Sequence, residues 1–322
     1  MVLVTGGSTG FGRLTAETLA RQGHSVFAAM RDTGDRNASH ATELRNLAER
    51  DGLALEVVEI DTGDDGSVRR GVAEVARKAG RIDVLVNNVG QGSWGLVEAF
   101  TTEQQKDFFE TNFFSAFRMN RAVAPLMRER GSGLIVQISS LIGRLVLPFT
   151  VTYSTAKHAV EALAEGYHYE LAPFGVESVI VEPQSGPTPS SLRKIGKPAD
   201  AERLASYGEL AERAEAMFEG NVRMLTGGDA PDPRDVADAV ARLVAERLGE
   251  RSLRTLVGAP MTRLVEPINR TPAKRRRSHL ASPALRPLRP LRPLRGSGGG
   301  VRSVSGVAEE IGCDVSGWSG WR

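Results

Sequence analysis

Cysteine is nearly absent from this sequence, and so are long apolar runs. The single cysteine among 322 residues, Cys313, cannot form a disulfide framework or a cysteine metal cluster within one chain. The five histidines lack the spacing of metal ligands, so we predict no metal site. No apolar stretch approaches the roughly 20 residues of a membrane span, and the sequence opens on a strand-like segment rather than a cleavable leader. These absences favour a cytoplasmic protein that does not enter a membrane.

A net positive charge is lacking before residue 271 and present after it. Residues 271–322 carry ten Lys and Arg against three Asp and Glu, a net charge of +7, whereas residues 1–270 carry −5. The tail combines Lys274–Arg277 with a Leu-Arg-Pro run over Leu285–Arg295, where regular proline excludes helix and sheet interiors. Clustered arginine attracts nucleic acids and anionic membranes. Because neither interleaved aromatic residues nor a folded basic face accompanies it, we interpret the tail as a disordered extension that does not bind nucleic acid.

The composition of 41% hydrophobic and 25% charged residues is typical of a soluble globular protein. Residues 1–258 alternate short β-branched runs with longer amphipathic stretches, which predicts βαβ units. The predicted strands are Val2–Thr5, Ser25–Ala29, Ala54–Ile60, Val84–Asn87, Leu134–Ser139, Val176–Glu182 and Thr255–Val257. The predicted helices are Gly10–Gln22, Ala41–Arg50, Asp64–Ala79, Glu103–Arg130, Thr152–Leu171, Asp200–Phe218 and Pro233–Arg247. This order predicts an α/β fold, a doubly wound (Rossmann) parallel sheet of about seven strands with helices on both faces, in a single domain.

A glycine-rich segment follows the first strand and opens the first helix. Glycine lets the backbone turn tightly and approach a pyrophosphate, whose charge is met by the helix N-terminus. The spacing is Gly-x-x-x-Gly-x-Gly rather than Gly-x-Gly-x-x-Gly. We therefore predict a dinucleotide site, and its candidate residues are Gly6, Ser8, Thr9, Gly10, Phe11 and Gly12.

The end of the second strand bears on the choice of dinucleotide. An acidic residue there would accept a hydrogen bond from the ribose 2′-hydroxyl of NAD, whereas a basic residue would favour the 2′-phosphate of NADP. Met30 stands where the carboxylate is expected, and Arg31 offers a bidentate phosphate partner, so NADP(H) is favoured. If the register is shifted by two residues, Asp32 meets the ribose instead and NAD(H) is the cofactor.

Tyr153 and Lys157 are four residues apart in a predicted helix and therefore lie on the same face. A free tyrosine has a pKa near 10, and a close ammonium would stabilise the phenolate. Lowering the pKa of the phenol by about three units needs about 4 kcal/mol of such stabilisation. The same spacing also occurs by chance on solvated helix faces. The pair becomes a catalytic candidate only in the company of other motifs.

Those motifs are present in order: the glycine-rich segment, Asn87-Asn88-Val89-Gly90, Asn112, Ser140, and then Tyr153 with Lys157. With them the sequence resembles the short-chain dehydrogenases/reductases over about residues 1–260, and it looks most like the branch that contains the 17β-hydroxysteroid and retinol dehydrogenases.

The resemblance implies roles for these residues. Tyr153 would be the general acid for carbonyl reduction or the base for alcohol oxidation, and Ser140 would hydrogen-bond the substrate oxygen. Lys157 would bind the nicotinamide ribose and lower the pKa of the phenol, and Asn112 would anchor a water that relays protons. The resemblance also places three residues along the cofactor, namely Asp61 near the adenine and Asn88 with Gly90 in the cofactor cleft.

One departure from the family pattern follows the sixth predicted strand. The family usually has glycine after Pro183, where the backbone passes the nicotinamide, but this chain has Gln184. A side chain there restricts φ, so the loop is expected to re-form one or two residues later. Thr188 is then the candidate contact for the nicotinamide or a phosphate, alongside Pro183.

Residues 1–270 are predicted to form the NADP(H)-binding catalytic domain, with residues 184–230 as a substrate lid, because loops at the carboxyl ends of such strands carry ligands. The groups expected around the cleft are mostly apolar, and the segment has no cluster of arginines. They favour a small or medium apolar ketone, aldehyde or alcohol, unless they merely seal the core of the lid. These groups are Trp94, Leu141, Val146, Phe149, Leu192, Ile195, Tyr207 and Met217.

A stripe of Phe109, Phe113 and Phe117 recurs every four residues along one predicted helix. We expect burial against the sheet, and any exposed remainder would suit helix pairing in a homodimer or homotetramer.

The sequence as a whole favours an NAD(P)(H)-dependent oxidoreductase that interconverts a ketone or aldehyde with an alcohol. A non-catalytic dinucleotide-binding regulator is an alternative, but it has no chemical need for Asn112, Ser140, Tyr153 and Lys157 together. A nucleotide-sugar epimerase or dehydratase is a further alternative. It is disfavoured because no separate substrate domain precedes the tail.

Overall fold

A computed structural model describes residues 1–184, 188, 192, 194–228, 230–258 and 262–270. The predicted tail, residues 271–322, lies outside the described residues, as do parts of the loop after the sixth strand. No helix in the described ranges has the length and apolarity needed to cross a membrane.

Seven strands of the described chain form one sheet in which every pairing is parallel. They are β1 Val2–Thr5, β2 Val26–Met30, β3 Leu55–Glu59, β4 Val84–Asn87, β5 Gly133–Ile138, β6 Val176–Pro183 and β7 Arg254–Val257. Their order across the sheet is β3-β2-β1-β4-β5-β6-β7. The chain therefore reverses its direction of travel between β1 and β4, and this switch point opens a crevice at the carboxyl ends of the two strands. The predicted α/β doubly wound fold is confirmed.

Helices cover both faces of the sheet, and their bounds are as follows. They are α1 Gly10–Arg21, α2 Ala38–Asp51, α3 Asp65–Ala79, α4 Thr102–Phe109, α5 Ser115–Arg130, α6 Val151–Leu171, α7 Ala201–Ser206, α8 Glu209–Thr226, α9 Arg234–Ala245 and α10, residues 262–270. Helices α1, α2 and α9 bury their apolar side chains with one face of the sheet, and α3, α5 and the end of α6 with the other. Because alternate residues of a strand point to opposite faces, Val2 and Val4 join the first cluster while Leu3 joins the second.

The predicted single helix Glu103–Arg130 is wrong in one respect, because a π-helical turn over Glu110–Phe114 separates α4 from α5. Asn112 lies in this turn and is 1% exposed. Its Nδ2 donates to the carbonyl oxygens of Phe108 and Gln91, each at 3.0 Å. The wider turn thus directs a polar side chain inward, as π-turns at functional sites commonly do.

The phenylalanine stripe is not buried against the sheet, which corrects our expectation. The face of α5 that packs inward carries Ala116, Met119 and Val123, whereas Phe117 is 37% exposed. The rings of Phe113 and Phe117 stack on one another at a centroid distance of 6.2 Å instead. An exposed aromatic surface of this kind suits helix pairing between subunits. The homodimer or homotetramer remains a prediction, and sedimentation velocity showing a monomer would contradict it.

The segment predicted as a lid contains two helices, α7 and α8, in place of the single predicted helix Asp200–Phe218. Gly208, whose φ is +50°, forms the break between them. A bridge between Ser93 and Gly196 ties the start of this segment to the loop after β4. The last helix of the described residues, α10, was not predicted from the sequence.

Candidate active site

The glycine-rich turn lies between β1 and α1 at the switch point of the sheet. Gly6 and Gly10 have φ of +66° and +63°, which glycine adopts without strain. Thr9 occupies the N-cap of α1 without a capping side-chain bond in the described structure, and the first turn of α1 contains no acidic residue. The N–H groups and the positive end of the helix dipole are therefore free to meet an anion.

Close packing around the turn explains why the glycines are needed. A Cβ at Gly12 would lie 2.3 Å from the Gly6 carbonyl oxygen and 2.4 Å from Asn88 Nδ2. Asn88 bridges the switch point, because its backbone N donates to Thr5 Oγ1 and its Nδ2 to the Thr5 carbonyl, each at 2.9 Å. The predicted residues Gly6, Gly12 and Asn88 are thus brought together in one cradle.

The edge of the crevice beyond β2 carries two exposed charges. Met30 is 3% exposed and belongs to the core, so Arg31 and Asp32 are the exposed charged side chains that follow the strand. Arg31 Nε lies 4.0 Å from Asp32 Oδ2, and Asp32 has a positive φ of +49°. Asp61, which follows β3, accepts a hydrogen bond from Gly63 N at 2.9 Å. Arg31, which would favour NADP(H), and Asp32, which would favour NAD(H), thus both lie at the surface of this edge.

Gly90 stands between the two polar side chains that the resemblance associates with proton transfer. A Cβ at Gly90 would lie 3.0 Å from Asn112 Oδ1 and 3.4 Å from Lys157 Nζ. Asn112 Oδ1 also accepts a hydrogen bond from Gln91 N at 3.0 Å. The structure therefore brings Asn112 and Lys157 to the same backbone position although 45 residues separate them in the sequence.

Ser140 and Tyr153 are in hydrogen-bond contact through their side chains. Ser140 begins a short 3₁₀ turn, Leu141–Gly143, and its Oγ accepts from Ile142 N at 3.4 Å. Burial raises the pKa of Tyr153 to about 12, and a hydrogen bond with Ser140 opposes that rise. The phenol is therefore protonated at neutral pH and available as a proton donor.

The ammonium of Lys157 is buried beneath Tyr153. Lys157 is 3% exposed, its Nζ donates to the Ile138 carbonyl at 2.8 Å, and it lies 5.7 Å from the centroid of the Tyr153 ring. Burial lowers the pKa of Lys157 to about 8, and the charge of Glu161 opposes the fall. Burial raises the pKa of the Tyr153 phenol in this structure, and the lowering of that pKa by Lys157 stays a prediction.

The loop after β6 is only partly described. Gln184 N donates to the Val257 carbonyl at 2.7 Å, so the chain remains tied to β7 one residue beyond Pro183. Thr188 is 8% exposed, and its carbonyl accepts from Leu192 N at 3.2 Å. Residues 185–187 lie outside the described residues. The contact predicted for Thr188 stays a prediction.

Of the side chains expected around the substrate, Trp94 and Phe149 belong to an aromatic cluster, whereas Tyr207 lies outside it. Trp94 packs against Phe149 and Phe218 at centroid distances of 6.1 and 5.8 Å, and its Nε1 donates to the Ala214 carbonyl at 2.8 Å. This cluster ties α8 to the loop after β4. Phe218 was missed, because in the sequence it is one apolar residue among several in a helix. Tyr207 bonds outward to Glu98 Oε2 at 2.6 Å and does not join the cluster.

A buried charged cluster, which was not predicted, lies behind Lys157. We define it as Arg144, Glu161, Glu165, Glu182, Arg254 and Asn269. Arg254 donates to Glu161 and Glu165 at 2.8 and 3.0 Å and lies 3.4 Å from Glu182 Oε1. Glu161 and Glu182 are 2% and 0% exposed. Such carboxylates are stable only because charges and hydrogen bonds surround them.

The Glu182 carboxyl makes stability depend on pH. Burial, together with the charge of Glu161, raises the pKa of Glu182 to about 7, while Asn269, Arg254 and Arg144 oppose the rise. The folded protein therefore holds a proton at pH values where the unfolded chain has lost it. This contribution to stability is complete below about pH 4.5 and is lost as the pH rises through about 7.

In Glu182→Gln the new side chain has nearly the shape of a protonated glutamate and stays uncharged at every pH. We expect it to flatten this decline, so that the variant exceeds the wild type in free energy of unfolding above about pH 7. Urea unfolding across a pH series measures the effect, and the exposed Glu219→Gln on α8 is the control. Parallel curves for wild type and Glu182→Gln would contradict the assignment.

The comparisons with known proteins agree with this geometry. A family model described as short chain dehydrogenase matches residues 1–194. The chain is 34% identical over 183 residues to a 3-ketodihydrosphingosine reductase of Bacteroides thetaiotaomicron, covering 57% of this chain and 62% of that protein's length. It is 30% identical over 247 residues to human retinol dehydrogenase 8, covering 76% of this chain and 77% of the relative.

Solved structures resemble the fold over most of its length. A short-chain dehydrogenase from Streptomyces avermitilis aligns with a TM-score of 0.69 at 31% identity and covers 87% of this chain and 94% of its own. A variant of actinorhodin polyketide ketoreductase, solved with NADPH, aligns with a TM-score of 0.64 at 28% identity and covers 79% of this chain and 94% of its own. The chain belongs to the short-chain dehydrogenase/reductase family of oxidoreductases, within which it resembles a retinol dehydrogenase-like branch.

Proposed function

We propose that the protein interconverts a ketone or aldehyde and an alcohol with NADP(H), and that Tyr153 is its general acid and base. The observation that carries this proposal is the assembly of Ser140, Tyr153, Lys157 and Asn112 at one end of the glycine-rich crevice. A protein that only binds a dinucleotide has no chemical need for this assembly.

The residues of the crevice suit a nicotinamide dinucleotide. Gly6 and Gly10 adopt positive φ in the turn before α1, and backbone without side chains there lets a charged ligand approach closely. When bound, the dinucleotide supplies the hydride that joins the carbonyl carbon, or accepts it from an alcohol. Two observations support NADP(H) over NAD(H): the exposed Arg31, and the NADPH in the related ketoreductase structure.

The side chains of this protein manage the proton. Tyr153 donates its proton to the carbonyl oxygen, which stays on its carbon and becomes the hydroxyl of the alcohol. Ser140, which bonds the phenol, hydrogen-bonds the same oxygen and stabilises the negative charge that grows on it. Lys157 returns a proton to the phenolate and regains one from solvent through a water that Asn112 anchors, both side chains being adjacent to Gly90. In alcohol oxidation each of these transfers runs backwards.

The substrate is proposed to be a small or medium apolar compound. The aromatic cluster of Trp94, Phe149 and Phe218 supports an apolar boundary on the lid side. Residues 184–230 are proposed to cover the substrate while it reacts.

A panel of apolar ketones, aldehydes and secondary alcohols tests the proposal. Each is mixed with enzyme and either NADPH or NADH, and the nicotinamide absorbance is followed. We expect turnover with at least one member of the panel. A protein that binds NADPH tightly yet turns over nothing in either direction would support the alternative of a non-catalytic regulator.

The cofactor choice rests on Arg31. We expect Arg31→Ala to raise the Kd for NADPH about tenfold, because a bidentate phosphate contact is lost, and to change the Kd for NADH by less than about twofold. Titration of nicotinamide fluorescence measures both constants. Arg50→Ala, which removes another exposed arginine, is the control. Equal losses for the two cofactors would show that Arg31 does not read the 2′-phosphate.

A further inference from the structure

Helix α10 reaches the buried charged cluster through one side chain. Asn269 Nδ2 donates to Glu182 Oε2 at 2.5 Å, and Asn269 Oδ1 accepts from Arg144 Nε at 3.0 Å. One amide group thereby joins two segments that are 38 residues apart in the sequence. The contact is part-buried, and Glu182 itself is 0% exposed.

The two segments that Asn269 joins lead directly to the proposed catalytic groups. Arg144 follows the 3₁₀ turn that Ser140 begins. Glu182 precedes Pro183, where β6 ends beside β7. A shift of either segment would move a wall of the crevice, and misplacing a reacting group by about 1 Å can cost about a hundredfold in rate.

The chemistry of the contact explains why the residue is asparagine. An amide offers a donor to the Glu182 carboxyl and an acceptor to the Arg144 guanidinium at the same time. A leucine of similar size offers neither. An ionised aspartate keeps the acceptor, but it lacks the donor and places a charge against Glu182.

We propose that Asn269 is a positioning residue, which holds the Ser140 turn and the Pro183 end of β6 in the arrangement needed for turnover. The inference rests on the oxidoreductase function proposed above. It makes α10, which was not predicted from the sequence, part of the active-site support.

The charges around Asn269 supply a specific readout. The charged groups that act on Glu182 are Glu161 of α6, Arg254 of β7 and Arg144 of the Ser140 segment. Glu165 of α6 pairs with the same Arg254. Three carboxylates therefore share two guanidinium groups. In Asn269→Asp a fourth carboxyl joins them, and at low pH a proton shared between that carboxyl and Glu182 restores a hydrogen bond between the two side chains.

The experiment measures kcat, KM and the Kd for NADPH from about pH 8 to about pH 6 in the full chain. For Asn269→Leu we expect kcat to fall about tenfold at every pH, with the NADPH Kd changed by less than about twofold. For Asn269→Asp we expect a similar fall at about pH 8 and recovery to within about threefold of wild type at about pH 6. The neighbouring Arg270→Ala, which removes only an exposed pair with Glu266, should match the wild type.

Thermal unfolding over the same pH range gives a readout apart from catalysis. The Asp variant should regain unfolding temperature relative to the Leu variant as the pH falls. Should the Leu variant not fold, the pH-dependent recovery of the Asp variant alone decides the matter.

Two results would overturn the inference. An Asn269→Leu variant that folds and retains wild-type kcat would show that the contact positions nothing. An Asn269→Asp variant without recovery at low pH would show that the donor to Glu182 is not what matters. A wild type that binds NADPH but turns over nothing in the substrate panel overturns the proposed function and this inference with it, whereas an active wild type with unaffected variants overturns the inference alone.

Discussion

Tyr153→Phe is expected to lower kcat by at least about a thousandfold, because the variant keeps the ring and loses the proton donor. Tyr153 is itself one of the predicted cofactor-binding residues, but the variant keeps its ring and every other predicted contact, so the Kd for NADPH should stay within about twofold of wild type. Stopped-flow turnover with the best substrate of the panel measures the first quantity, and fluorescence titration measures the second.

The matched control is Tyr169→Phe on the same helix, α6. Its hydroxyl bonds Glu165 at 3.3 Å, and the side chain is 37% exposed, so this change should leave kcat unaffected. The raised pKa of Tyr153 also predicts how the rates of reduction and oxidation depend on pH. A phenol with a pKa of about 12 serves carbonyl reduction at neutral pH, whereas alcohol oxidation requires the phenolate and should accelerate as the pH rises. Comparable turnover by Tyr153→Phe and wild type would end the proposed mechanism.

Gly12→Ala should weaken the binding of NADPH and NADH alike by at least about a hundredfold. The added Cβ would meet the Gly6 carbonyl oxygen at 2.3 Å. That oxygen belongs to a backbone turn at positive φ, which cannot give way as a flexible side chain would. The turn must therefore deform, and the N–H groups at the start of α1 lose their alignment on the pyrophosphate.

Gly166→Ala provides the comparison for that change. Gly166 also lies within a helix, but a Cβ added there would meet no heavy atom of the surrounding structure within 4 Å. We expect this variant to bind cofactor normally and to gain about 0.5–1 kcal/mol in free energy of unfolding, as alanine replaces glycine in a helix. Calorimetric titration and urea unfolding compare the two variants. Normal cofactor binding by Gly12→Ala would mean that the dinucleotide does not lie on this turn.

The sequence was sufficient for the sheet and for the residues gathered in the crevice. Each predicted strand lies within about one residue of its observed position at either end. Buried parallel strands can be located in this way because their sequences are short β-branched runs between glycine and polar turns. The Gly6–Gly12 turn, Asn112, Ser140, Tyr153 and Lys157 come together because they follow the carboxyl ends of neighbouring strands or start the helices behind them.

The interruption of the long helix could not be predicted from periodicity. Phe109, Phe113 and Phe117 repeat every four residues, which fits one continuous helix with an apolar face. The π-turn instead satisfies Asn112, whose hydrogen bonds run to Gln91 in another segment. Since the phase of the helix changes there, the phenylalanines point away from the sheet.

The buried charged cluster was beyond sequence reasoning for another reason. A glutamate in a helix, such as Glu161, is ordinarily expected on the solvated face. Asn269 lies twelve residues after the last described strand, where no element was predicted. Only the folded chain shows that Arg254 lies between Glu161 and Glu182 and that α10 places an amide on Glu182. Long-range pairing of charges has no local signature, because each partner taken alone resembles an ordinary surface residue.

Transfer of deuterium from NADPH labelled at carbon four of the nicotinamide tests the central claim most directly. The labelled cofactor is mixed with enzyme and the ketone that reacts best in the panel, and the product alcohol is analysed by mass spectrometry and NMR. We predict one deuterium on the carbinol carbon from one face of the nicotinamide, and its loss in Tyr153→Phe because no alcohol forms. An alcohol without deuterium from either labelled face, or no alcohol from any member of the panel, would contradict the assignment of this protein as a carbonyl–alcohol oxidoreductase.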